Sequence, residues 1–115
     1  MIFITGPLYA GKSEYIRTTL GLSQEELESV SVRDVQALAA NCRSTEELMR
    51  LAEELSRKEI VIATEVGGGL IPLERYQREN RERAGRLACL LAERADTVIR
   101  VCCGLPQLIK GQWPS

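Results

Sequence analysis

Histidine is absent from all 115 residues. The chain therefore lacks the side chain that most often serves as a general base near neutral pH, as a metal ligand, or as a covalent carrier of phosphoryl groups. Cysteine is sparse: Cys42, Cys89, Cys102 and Cys103 form no C-x-x-C pair. That argues against a thiolate metal site and a disulfide framework, and fits buried thiols in a reducing cytoplasm. No apolar run is long enough to span a bilayer. The first, Met1 to Thr5, is cut short by Gly6 and Lys12, which also rules out the pattern of a secretory leader. A basic excess is missing too. Fifteen Lys and Arg face sixteen Asp and Glu, for a net charge of −1, so nucleic acid is not an expected partner. No internal repeat or low-complexity segment is visible. What is present is a 44% hydrophobic composition, enough for the core of one small domain spanning 1–115.

The organising stretch is Gly6-Pro7-Leu8-Tyr9-Ala10-Gly11-Lys12-Ser13. Its spacing, G-x-x-x-x-G-K-[ST], is that of a phosphate-binding loop. The two glycines permit a tight path whose N–H groups point inward at anionic oxygens. A helix beginning at Lys12 adds its positive end. Lys12 brings a mobile charge for the β- and γ-phosphates, and the Ser13 hydroxyl can ligate Mg²⁺. The motif needs a strand before it and a helix after it, and both are expected here.

Met1–Thr5 reads as a buried strand, central in a parallel sheet. A helix is expected from Lys12 to about Leu20, ended by Gly21, followed by one helical turn at Gln24-Glu25-Glu26. Glu28–Val32 alternates, with Val30 and Val32 on one side, and reads as a strand. Val35, Leu38, Ala39 and Cys42 recur at helical spacing. Ser44 or Thr45 caps the next helix, Thr45 being favoured, and Leu48, Met49, Ala52 and Leu55 form its inner stripe. Glu59–Thr64 is the next strand, and Gly67-Gly68-Gly69 the loop beyond it. Leu73 to Ala95 reads as a long helix whose outer face carries Arg75, Arg78, Glu79, Arg81, Glu82, Arg83 and Arg86. Its arginines nearest the glycine loop can reach phosphates, or simply pair with acids along the helix. Thr97–Cys103 is the last strand. The alternation gives an α/β fold, a small, mostly parallel sheet of about four strands flanked by helices, with an exposed edge or an oligomer contact.

Phosphoryl transfer wants a carboxylate near the metal, and two acids lie at strand ends. Asp34 is the preferred metal ligand, with an N-cap on the helix starting at Val35 as the alternative. Glu65 binds a hydroxyl or holds the glycine loop. Loops at the carboxyl ends of parallel strands form the ligand crevice, so both acids are placed to face Lys12.

The stretch Ala63-Thr64-Glu65-Val66-Gly67-Gly68-Gly69-Leu70-Ile71-Pro72 resembles the N-E-V-G-x-G-I-V-P segment of the bifunctional adenosylcobinamide kinase / adenosylcobinamide-phosphate guanylyltransferases. The likeness continues through Arg75, Arg78 and Asn80 to Leu87, where that family has F-R-D-x-x-G-R-x-N-Q. It resumes in Ala95-Asp96-Thr97-Val98 and Gly104-Leu105-Pro106-Gln107-Leu108-Ile109-Lys110. The resemblance implies a P-loop fold, often a trimer, that uses ATP or GTP with Mg²⁺ to phosphorylate the aminopropanol hydroxyl of adenosylcobinamide. In the family, GMP is then transferred through a covalent histidine. Carried over by position, Gly6, Gly11, Lys12 and Ser13 bind the nucleotide. Gly67 belongs to the crevice loop, Arg86 matches the family's G-R and contacts the nucleotide, and Lys12, Asp34 and Glu65 carry the chemistry. Ser13 and Asp34 hold the metal.

The departures are as informative. The segment that bears the family's strand, helix and histidine between the first helix and residue 28 is missing, so the guanylyl step cannot run as in the family. Asp34 stands one place out of register with the family's V-D acid, in the stretch around Arg33, Asp34 and Asn41. Thr64 replaces the opening Asn, and Ala88-Cys89 the closing Asn-Gln. Three readings stay open at this point: a reduced corrinoid-alcohol kinase, a nucleotide-binding relative without catalysis, and a small P-loop phosphotransferase with another substrate.

Overall fold

A computed structural model of the chain describes residues 1–66 and 75–115, with only the backbone of Tyr76. The elements run β1 (Ile2–Gly6), α1 (Lys12–Leu20), α2 (Gln24–Val30), β2 (Ser31–Val32), α3 (Val35–Ala39), α4 (Thr45–Leu55), β3 (Ile60–Thr64), α5 (Arg75–Arg94), β4 (Thr97–Cys102) and β5 (Leu105–Lys110). They form a five-stranded sheet in the order β2-β3-β1-β4-β5. The first four strands are parallel to their neighbours, and β5 runs antiparallel to β4. The expected α/β fold, a mostly parallel sheet flanked by helices with β1 at its centre, is the one the chain adopts. Among the described residues no helix is long and apolar enough to cross a membrane.

Strand alternation sorts the core onto two faces. On one, Phe3, Val61, Ala63 and Val98 pack against Val35 and Ala39 of α3, Leu48, Ala52 and Leu55 of α4, and Leu87 and Leu91 of α5. On the other, Ile4, Ile60, Ile62, Ile99 and Val101 receive Ile16 of α1 and Leu27 of α2. Central strands buried on both faces read as continuous apolar runs, which is how Ile2-Phe3-Ile4 and Ile60-Val61-Ile62-Ala63 appear. Burying one such side chain contributes about 1.5–3 kcal/mol.

Five expectations need correction. Glu28–Val30 is helix, leaving only Ser31–Val32 as strand. Ser23 explains it. Its Oγ accepts from Glu26 N at 3.1 Å while Glu26 Oε1 accepts from Ser23 N at 3.0 Å, a capping box that nucleates α2 and carries it through Val30. The cap of α4 is Ser44, not Thr45: Ser44 is extended and its Oγ accepts from Glu47 N at 3.2 Å. With that start the inner stripe is Leu48, Ala52 and Leu55, while Met49 is 43% exposed. Of the cysteines only Cys42 is buried.

The fifth correction is an additional strand, β5. Cys103 (φ 54°) and Gly104 (φ 74°) both take positive φ between paired Cys102 and Leu105. Two successive positive-φ residues make the type I′ turn that matches strand twist, so the chain reverses into a hairpin. Pro106 is tolerated because β5 is an edge. The expected helix from Leu73 to Ala95 is observed as Arg75–Arg94; Leu73 lies outside the described residues.

Candidate functional site

The site is built where β1 ends. Register places Gly6 of β1 opposite Thr64 of β3, and Thr5 opposite Arg100 of β4. The carboxyl ends of three strands are thus level, and the loop 7–11 rises between two of them. Gly6 sits at φ 154°, and a Cβ there would collide with the Val101 carbonyl. Glycine is demanded by the close approach of β4. Gly11 (φ 87°) occupies the N-cap position of α1. The loop is anchored to the β4–β5 turn by Gly104 N, which donates to Ala10 O at 2.8 Å.

Lys12 opens α1 with its side chain folded back over the loop. Its Nζ donates to Gly6 O at 3.2 Å and to Pro7 O at 2.7 Å, and the residue is only 8% exposed. Burial lowers its pKa from the ordinary lysine value, opposed by the negative charges of Asp34 and Glu65. Lys12 and Ser13 share a cavity of about 340 Å³ with Leu8, Gly11, Arg33 and Asp34. Tyr9, at φ 60° and 94% exposed, lines the same space at the loop tip.

Asp34 holds the N-cap position of α3 at φ 55°, without a side-chain cap bond. Neither half of the N-cap alternative's usual geometry is met, since capping residues are extended and accept from the next turn. Asp34 lines the cavity instead. Among the described residues no cluster of three or more His, Cys, Asp or Glu could hold a metal on its own. Ser13 with Asp34 is nevertheless a donor set that suits Mg²⁺, which keeps water and phosphate ligands and needs few from protein.

Glu65 follows β3, and its N–H donates to Gly6 O at 2.9 Å, extending the ladder by one rung. Its carboxylate accepts from Arg100 Nε at 2.5 Å and from Arg100 Nη2 at 3.0 Å. The paired guanidinium hydrogen bond holds the Glu65 pKa below the usual range, with the charge of Lys12 adding to it. Sequence reasoning missed Arg100. A charged residue inside the otherwise apolar run Val98-Ile99-Arg100-Val101, level with Thr5, was the available signal. Gln36 was missed as well: its amide oxygen accepts from Thr64 N at 2.9 Å and ties α3 to the end of β3.

Arg86 is placed elsewhere. It donates to Glu82 at 2.8 Å and lines a separate cavity with Cys42, Ser44, Leu48 and Arg83. Gly67 lies outside the described residues. Gly6, Gly11, Lys12, Ser13, Asp34 and Glu65 are gathered at one end of the sheet.

A comparison with known families matches residues 23–109, most of the chain, to the family described as cobinamide kinase / cobinamide phosphate guanyltransferase. The matched stretch holds Asp34, Glu65 and Arg86 and begins after the phosphate loop. No curated protein matches the chain.

Proposed function

The chain belongs to the cobinamide kinase / cobinamide phosphate guanyltransferase family, a P-loop family of cobalamin biosynthesis, and on that premise we propose that it is a kinase-like member. It binds ATP or GTP at Gly6–Ser13 and phosphorylates the aminopropanol hydroxyl of adenosylcobinamide. The observation that carries this reading is the shared cavity of Lys12, Ser13 and Asp34 at the start of α1. Loop N–H groups and the positive end of α1 receive the phosphates. Lys12 exchanges its bonds to Gly6 O and Pro7 O for phosphate oxygens. Ser13 and Asp34 would hold Mg²⁺, which when bound neutralises charge on the phosphate oxygens. Glu65, fixed by Arg100 and with a lowered pKa, is a poor proton acceptor and serves to orient a hydroxyl. In-line transfer needs mainly positioning and charge stabilisation, so this step survives without histidine. The guanylyl step, which in the family passes through histidine, is lost.

Incubation with adenosylcobinamide and γ-labelled ATP or GTP should move label to the corrinoid. Nucleotide binding without transfer would instead support the non-catalytic reading, and transfer to a different alcohol the third. With α-labelled GTP no acid-labile protein adduct should form. A cytoplasmic setting and assembly as a homo-oligomer, trimeric as the resemblance implies, complete the proposal. Size-exclusion chromatography with light scattering tests the assembly.

A further inference from the structure

Among the described residues Arg17 is paired with Glu14, Arg50 with Glu46, Arg75 and Arg83 with Glu79, Arg86 with Glu82, and Arg100 with Glu65. Arg33 makes no ion pair among the described residues, is exposed, and lines the same cavity as Lys12 and Ser13. Its place is fixed by register. Val32, the last residue of β2, pairs with Val61, so Arg33 is the first residue past the strand, at the carboxyl end that carries the loop. Asp34, at φ 55°, then turns the chain sharply into α3.

We infer that Arg33 is a second phosphate-contacting cation, directed at the outermost phosphate of a nucleoside triphosphate. The inference rests on the proposed nucleotide site. β2 lies two strands from β1 in the sheet, about 10 Å away at the usual strand spacing. The loop after β1 wraps the inner phosphates with its N–H groups and Lys12. A guanidinium entering from β2 meets the end of the phosphate chain across the cavity. Its planar fork suits two oxygens of one phosphate, which a lysine cannot match. Charge points the same way. Glu14, which also lines the cavity, is held by Arg17 at 2.7 Å. Asp34 is left as the acid to take a cation, while Arg33 and Lys12 face the polyanion.

Titration calorimetry with ATP and with ADP, each with Mg²⁺, tests this on the wild type, Arg33→Ala and Arg33→Lys. Arg33→Ala should weaken ATP roughly ten- to a hundredfold, the size of a lost charge-assisted contact. It should change ADP by less than about twofold, and Arg33→Lys should restore only part of the loss. Because Arg33 is exposed, its variants should melt with the wild type. Equal losses for ATP and ADP, or none for either, would overturn the inference while leaving the nucleotide site standing. A wild type that binds neither nucleotide would overturn the site itself, and the inference with it.

Discussion

Two regions of the molecule are rich in arginine and differ in what surrounds it. On α5, Arg75, Arg83 and Arg86 are spaced four residues from Glu79 or Glu82 and pair with them. Among the described residues, Arg33 and Arg100 stand near the carboxyl ends of the strands, and register rather than helical spacing puts them there. The helix face carries more charge, and these three arginines find their acids along the same element. Exposed pairs of this kind contribute about 0.3–0.5 kcal/mol each. The strand-end arginines come from distant parts of the chain: Arg33 lines the cavity of Lys12 and Ser13, while Arg100, three strands away in the sheet, holds Glu65. The difference teaches that helical spacing pairs the arginines of α5, whereas sheet register decides which arginines stand at the strand ends.

The comparison breaks most severely at its geometric foundation. Gly6→Ala drives a methyl group into the Val101 carbonyl, so β1 and β4 must separate or the loop must move. A loss of about 3 kcal/mol or more is expected from backbone strain and overpacking. Thermal or urea unfolding measures it; an unchanged midpoint would mean that the ends of β1 and β4 do not meet as described. Next comes Lys12→Ala. On the proposed reading the buried ammonium trades its loop carbonyls for phosphate, and its loss should weaken ATP about ten- to a hundredfold. Calorimetry checks this, and wild-type affinity in the variant would remove the loop from the site.

How much of this was legible in the sequence follows from the range of the forces involved. The strand, turn and helix around Gly6–Ser13 were readable because the glycine spacing is a local demand of one turn. The buried strands were readable because a sheet covered on both faces leaves an unbroken apolar run. The end of α2 was misread because Val30 and Val32 alternate, while the capping box at Ser23 decides the matter several residues earlier. β5 was missed because its residues are mostly exposed and its turn, Cys103-Gly104, lacks the usual Asn or Asp. The Glu65–Arg100 contact joins residues 35 positions apart. The β1–β3 and β1–β4 registers together bring them into contact, and no local pattern encodes those registers.

The Glu65–Arg100 pair gives the comparison a smaller test, through pH. Glu65 has a lowered pKa in the folded protein, so its contribution to stability is present above the unfolded value near 4.5 and is lost as pH falls through the folded pKa. Arg100→Ala should raise the Glu65 pKa towards the ordinary value and flatten the dependence of stability on pH below 4.5. The pair is partly exposed, so solvent screening limits the cost at neutral pH to about 1 kcal/mol or less. Carboxyl-detected NMR titration of Glu65 in wild type and variant measures the shift directly. An unmoved pKa would mean that Arg100 does not hold Glu65 in solution.

The smallest effect is expected from α5. Arg86→Ala breaks its pair with Glu82, whose partners are 56% and 63% exposed. Stability should change by less than about 0.5 kcal/mol. Arg86 lines the cavity near Ser44 and Leu48 rather than the one near Lys12, so ATP affinity should stay within about twofold, well below the effect of one lost charge-assisted bond. The contrast with Arg33→Ala is what gives this modest result its value. Both are exposed arginines, and removing either takes one positive charge from the molecule, so a long-range electrostatic contribution to nucleotide binding would weaken ATP in both. Salt would then suppress both losses alike. A loss confined to Arg33 means contact; equal losses in the two variants that fade together as salt is raised would erase the distinction between the two regions and place the nucleotide in the general field of the protein.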